Sequence, residues 1–84
     1  MIRYTVTSTP EAEAELVELW LTGADRNEIT AAVRIIDDAL ASDPETKGNP
    51  VVEGLRSYIA PPLRVLFVVR SEDRTADIQL VRRI

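Results

Sequence analysis

The stretch Leu63-Arg64-Val65-Leu66-Phe67-Val68-Val69-Arg70 (residues 63–70) decides how this chain folds. β-branched and aromatic residues fill it, so it reads as a strand. Its two alternating sets are Leu63, Val65, Phe67, Val69 and Arg64, Leu66, Val68, Arg70. Apolar residues on both faces predict a central strand with neighbours on each edge. If Val65, Phe67 and Val69 face the core, Arg64, Leu66, Val68 and Arg70 share the other face.

Reading outward from this strand, the runs on either side are also extended. Upstream, Val51 to Ile59 is strand-like, interrupted by Gly54 as a candidate bulge, and Ala60-Pro61-Pro62 turns the chain. Arg56 and Tyr58 share a parity there, with Gly54 leaving the register open. Downstream, Glu72-Asp73-Arg74 forms a turn. The last run sets Ala76, Ile78 and Leu80 against Asp77, Gln79 and Val81, and ends in Arg82-Arg83-Ile84. If Ile78 and Leu80 both face inward, Arg83 joins Arg64 on the open face.

The first half of the chain is different. Ile2, Tyr4 and Val6 alternate with Arg3, Thr5 and Thr7, the period of a half-buried strand. Thr9-Pro10-Glu11 then has the N-cap, first-turn proline and acidic residue that start a helix. Ala12, Leu16, Leu19 and Trp20 give that helix one apolar face, while Glu11, Glu15 and Glu18 line another that reads as solvated surface. Gly23 ends it. Asp25, followed by Glu28, predicts a capping box for a second helix. Ile29, Ala32, Val33, Ile36 and Leu40 form its apolar stripe, and Asp43-Pro44 stops it. The three-residue joint predicts an antiparallel helical hairpin. The expected fold is α+β with element order β-α-α-β-β-β, the hairpin packed on one face of a small, mostly antiparallel sheet, in one domain over residues 1–84.

Composition narrows the chemistry. There is no cysteine and no histidine. That excludes disulfides, thiolate nucleophiles and the commonest metal ligands, and no metal or cofactor is expected. Proton transfer would fall to carboxylates or tyrosine. No apolar run is long enough for a membrane helix, the opening reads as a strand rather than a signal peptide, and the expected location is cytoplasmic. The net charge of −4 hides a split: residues 1–53 carry 11 acids and 4 bases, residues 54–84 carry 3 acids and 6 bases, all arginine. The acidic whole disfavours nonspecific nucleic-acid binding. The arginines place any activity on the sheet.

The element order, with "EGLRSYIAPPLRVLFVV" and the ending "DIQLVRRI", resembles the RelE/ParE superfamily of type II toxin–antitoxin toxins. The resemblance rests on Leu16-Val17-Glu18-Leu19-Trp20 in the first helix, Asp43-Pro44 after the second, Gly54-Leu55-Arg56, Leu63-Arg64-Val65-Leu66-Phe67 and the terminal Arg83. It covers nearly the whole chain. It implies one of two activities: cleavage of mRNA on the ribosome, as in RelE-like members, or non-catalytic poisoning of DNA gyrase, as in ParE-like ones. A degenerate, non-toxic interaction module is the alternative. For a RelE-like enzyme the resemblance assigns Arg64 to the scissile phosphate, with Arg83 and Arg56 assisting. Leu66, Val68, Arg70 and Tyr58 are the expected partner-binding residues. The expected partners are a cognate antitoxin, then gyrase or the ribosome with mRNA, and a second copy of the chain. Departures from the ribonuclease pattern are the missing histidine, the uncharged Ser57 and Ile59 where a further base is expected, and a final strand followed by only Ile84.

Overall fold

In the computed structural model, which describes residues 3–84, the strand over residues 63–70 does lie inside a sheet. The elements in chain order are β1 (Thr5–Ser8), α1 (Pro10–Thr22), α2 (Arg26–Ala41), a short 3-10 turn (Pro44–Thr46), β2 (Asn49–Val52), β3 (Leu55–Ala60), β4 (Leu63–Arg70) and β5 (Thr75–Arg83). The five strands are ordered β1-β5-β4-β3-β2. All pairings are antiparallel except β1 with β5, which is parallel. The expected α+β architecture holds. The part of the first strand read at Ile2 lies outside the described residues; Arg3 forms an isolated antiparallel bridge to Ser42.

One run predicted as a single strand is two. The segment from Val51 to Ile59 folds back at Glu53-Gly54 to make the β2–β3 hairpin, in which Val52 pairs with Leu55. Gly54 sits in that turn at φ 81°, a left-handed conformation that costs an L-residue roughly 1–2 kcal/mol. It is a turn residue, not a bulge; the register irregularity falls on β2, between Pro50 and Val52.

A second irregularity has larger consequences. On β5, Leu80 pairs with Leu66 and Ile78 with Phe67, so Gln79 is left without a partner on β4. This is a bulge, and beyond it the inward and outward sets exchange. Ala76 and Ile78 face the helices before it; Val81 faces them after it. Thr9 holds the spot. Its N–H donates to the Ile78 carbonyl (3.0 Å) and its hydroxyl to the Gln79 carbonyl (3.4 Å), while the hydroxyl oxygen accepts the Ala12 N–H (3.1 Å) as the α1 N-cap.

The core lies between the helices and one sheet face. Leu63, Val65 and Phe67 of β4 meet Ile29, Ala32, Ile36 and Leu40 of α2 and Ala12 of α1, all nearly inaccessible. Phe67 is fully buried, a burial that stabilises by about 1.5–3 kcal/mol. The α1 C-terminus is closed by Arg26, whose Nε donates to the Trp20 carbonyl (3.0 Å) and whose guanidinium lies 4.7 Å from the Trp20 ring centroid. Asp25 precedes α2, yet its side chain makes no capping hydrogen bond; the carboxylate is engaged elsewhere.

Candidate functional site

The face of the sheet opposite the helices is built by register. Residues directly across from one another share a face, with Cβ atoms about 4.5–5.5 Å apart. One row runs Ile59, Arg64, Arg82 over β3, β4 and β5; the next runs Ser57, Leu66, Leu80. Val68 lies across from Asp77, and Arg70 from Thr75. The open face is thus an apolar patch of Ile59, Leu66, Val68 and Leu80 crossed by arginines. Ile59 is 52 % exposed.

Arg64 stands in the middle of this patch, half-buried. Among the described residues no carboxylate lies within ion-pairing distance of it, unlike Arg70, Arg82 and Arg83. Its cross-strand neighbour Arg82 turns to the edge of the sheet, pairs with Glu15 of α1 and donates to the Val81 carbonyl (3.0 Å). Glu15 also accepts the Val81 N–H (3.3 Å), so α1 closes the stretch of β5 edge that β1 does not reach.

The carboxylate on this face, Asp77, is committed. It accepts from Thr7 Oγ1 (2.8 Å) and Gln79 Nε2 (2.7 Å), and Arg70 Nη1 lies 3.5 Å from it. Its side chain is only 15 % exposed. An acceptor with three donors around it anchors the face rather than collecting protons.

Of the sequence-derived site residues, Arg64, Leu66, Val68 and Arg70 come together here. Three do not. Tyr58 pairs with Val65 on the helix side and packs against the core. Arg56 pairs with Phe67 on that same side; its Nε donates to the Lys47 carbonyl (2.9 Å) and its Nη2 to the Gly48 carbonyl (3.2 Å), clamping the loop that leads into β2. Arg83 pairs with Leu63 on the helix side and grips Asp25 with both nitrogens (3.0 and 2.5 Å). The hydrogen bonds from Arg83 hold the Asp25 carboxyl below the usual aspartate range, and those to Asp25 raise Arg83 further. The proposed set Arg64, Arg83 and Arg56 is therefore dispersed over two faces. The cause for Arg83 is the Gln79 bulge, and for Arg56 and Tyr58 the hairpin register.

Sequence reasoning missed Leu80, Ile59 and Arg82 as open-face residues. Leu80-Val81 was the available signal, because two adjacent apolar residues cannot both face inward on a regular strand. A second carboxylate cluster lies off this face: Glu45 accepts from Tyr4 (3.1 Å) and from Ser71, and these bonds, Ser71 first, lower its pKa. Among the described residues no group of three His, Cys, Asp or Glu side chains could hold a metal ion. Among the described residues no helix is long and apolar enough to cross a membrane.

The chain is similar to solved toxin–antitoxin structures over its whole length. Against a chain of the toxin–antitoxin complex RelBE2 from Mycobacterium tuberculosis the TM-score is 0.83 at 25 % identity, covering 100 % of this chain and 94 % of that one. Against the chromosomal ParDE system from P. aeruginosa it is 0.70 at 19 % identity, covering 100 % and 99 %. Against the isolated RelE toxin of E. coli it is 0.67 at 15 % identity, covering 95 % and 83 %. No protein-family model matches the sequence, and no curated protein matches it. Two helices on one face of a mostly antiparallel five-stranded sheet define the α+β class. Within that class, the chain has the RelE/ParE-like toxin fold.

Proposed function

We propose that this chain is the toxin component of a type II toxin–antitoxin system, neutralised by a cognate antitoxin. It acts in the cytoplasm and arrests growth by binding a protein target, with DNA gyrase the first to test, rather than by cutting ribosome-bound mRNA. The toxin reading is supported by the whole-length likeness to a chain of the RelBE2 complex. The observation that carries the choice of target is the chemistry of the open face. Arg64 stands there among Ile59, Leu66, Val68 and Leu80, with no free carboxylate, phenol or imidazole beside it among the described residues. Cleavage of RNA needs a group to take the 2′-hydroxyl proton, and a general base contributes about 10²–10⁴-fold. An arginine set in apolar surface is instead the composition of a protein-binding hot spot. A net charge of −4 also opposes docking on ribosomal RNA.

Induced expression in a bacterium tests this. The expected result is growth arrest with an early DNA-damage response and continued incorporation of labelled amino acids. Immediate loss of protein synthesis would transfer the reading to the ribosome. No arrest at all would leave the degenerate interaction module as the better account.

A further inference from the structure

Helix α1 has two apolar faces, and the fold uses one. Ala12, Leu16 and Leu19 point to the sheet. Pro10, Ala14, Val17 and Leu21 recur at i, i+4, i+7 and i+11 on the opposite side, the seam spacing of a two-helix contact. Val17 is 55 % exposed and Leu21 58 %. Glu13 and Glu18 border this exposed helix face on its two sides. Glu11 continues the Glu18 side toward the helix start. None of these three carboxylates has an ion-pair partner among the described residues, and α1 contains no Lys or Arg. Glu15, by contrast, sits toward the core side and is paired with Arg82.

We infer that the outer face of α1 is a docking seam for an amphipathic helix of another protein, one with an aliphatic stripe bordered by Lys or Arg. This is a second surface, on the side of the molecule away from the open sheet face, and it does not depend on the reading given above. The spacing selects a helix, since residues at alternating 3 and 4 steps meet a facing seam along its length while a strand meets them at one point. Ala14 at the centre lets the partner backbone approach closely. The borders select basic flanks: unpaired glutamates on both sides of the seam attract Lys or Arg at the flanking positions of the incoming helix. The same borders disfavour a second copy of α1, which would set Glu against Glu, and an anionic lipid surface.

The test uses two labelled peptides of about three heptads with the same leucine seam, one flanked by lysine and one by glutamate. Anisotropy titrations of the full chain should show the lysine peptide binding about tenfold or more tightly than the glutamate peptide, with the gap closing at high salt. Val17→Ser with Leu21→Ser should lose about tenfold or more in affinity for the lysine peptide at unchanged Tm. Glu13→Lys with Glu18→Lys should reverse the peptide preference, a gain that unfolding cannot mimic. Equal binding of the two peptides, or full binding by the seam variant, overturns the inference. So does a dimer in sedimentation, or adsorption to phosphatidylserine vesicles, that the seam variant abolishes, since either gives the surface to another occupant.

Discussion

Arg83 and Asp25, separated by 58 positions in the chain, form a two-point ion pair that ties the last residues of β5 to the turn between α1 and α2. The pairing draws Asp25 away from capping α2 and engages the Arg83 that the Gln79 bulge has turned to the helix side. The contact thus joins two residues for which the sequence suggests other work.

The pair predicts acid sensitivity. Asp25 is held below its ordinary value by Arg83, and Glu45 by Ser71 and then Tyr4. A depressed folded-state pKa adds stability that is complete above the unfolded value and fades as pH falls through the folded one. The chain is expected to weaken below about pH 4. Urea midpoints taken at about pH 7 and about pH 3 should differ less for Asp25→Asn with Glu45→Gln than for the parent. An equally steep fall in the double variant would refute the assignment.

The arginines should separate into two behaviours. Arg64→Ala is expected to leave the Tm nearly unchanged and to abolish growth arrest on induction. Arg56→Ala removes two hydrogen bonds to the Lys47 and Gly48 carbonyls and should cost about 1–3 kcal/mol in urea unfolding. If Arg64→Ala unfolds the chain while Arg56→Ala spares it, the face assignments are wrong.

Two glycines at positive φ should respond differently to alanine. A Cβ at Gly48 (φ 66°) would lie 1.8 Å from the Ser57 carbonyl oxygen, which is backbone and cannot yield cheaply. At Gly54 (φ 81°) a Cβ meets nothing within 4 Å. Gly54→Ala should therefore cost only the left-handed penalty of roughly 1–2 kcal/mol. Gly48→Ala should cost clearly more, measured as the difference in urea midpoint at constant slope.

The exchange of faces beyond Gln79 can be checked with one charge at two adjacent positions. Val81 is buried on the helix side, so Val81→Asp should destabilise by on the order of 3–5 kcal/mol. Leu80 lies on the open face across from Leu66, so Leu80→Asp should keep the fold and weaken target binding. Circular-dichroism melts and growth assays on the pair decide it; the opposite pattern would mean a regular strand.

Much of this fold was legible because local chemistry and global packing agree. Thr9 caps α1 as its residue type predicts, and Phe67 and Val65 are buried with the alternating set of β4 that contains no charged residue. The α2 stripe of Ile29, Ala32, Ile36 and Leu40 is buried in full. What escaped were features set by long-range geometry. Gly54 is compatible with a bulge or a turn, and only the pairing of Val52 with Leu55 distinguishes them. The parallel partnership of β1 with β5 joins Thr5 to Thr75 and leaves no local trace. The site suffered most, because a role assigned by parity fails for every residue beyond an unseen change of register, as it did for Arg83.

The unpaired Gln79 also bears on how such a surface can change over generations. Removing the Gln79 codon would return β5 to strict alternation with every face kept, whereas removing the Val81 codon, with the bulge retained, would send Arg83 outward and Arg82 inward with no arginine replaced. Inserting one residue between Gln79 and Arg82 would make the same exchange. A single small insertion or deletion can thus transfer a guanidinium between an internal tie and an external contact. Chains of this fold can diverge in what they bind while the residue count of each type on the last strand stays almost constant.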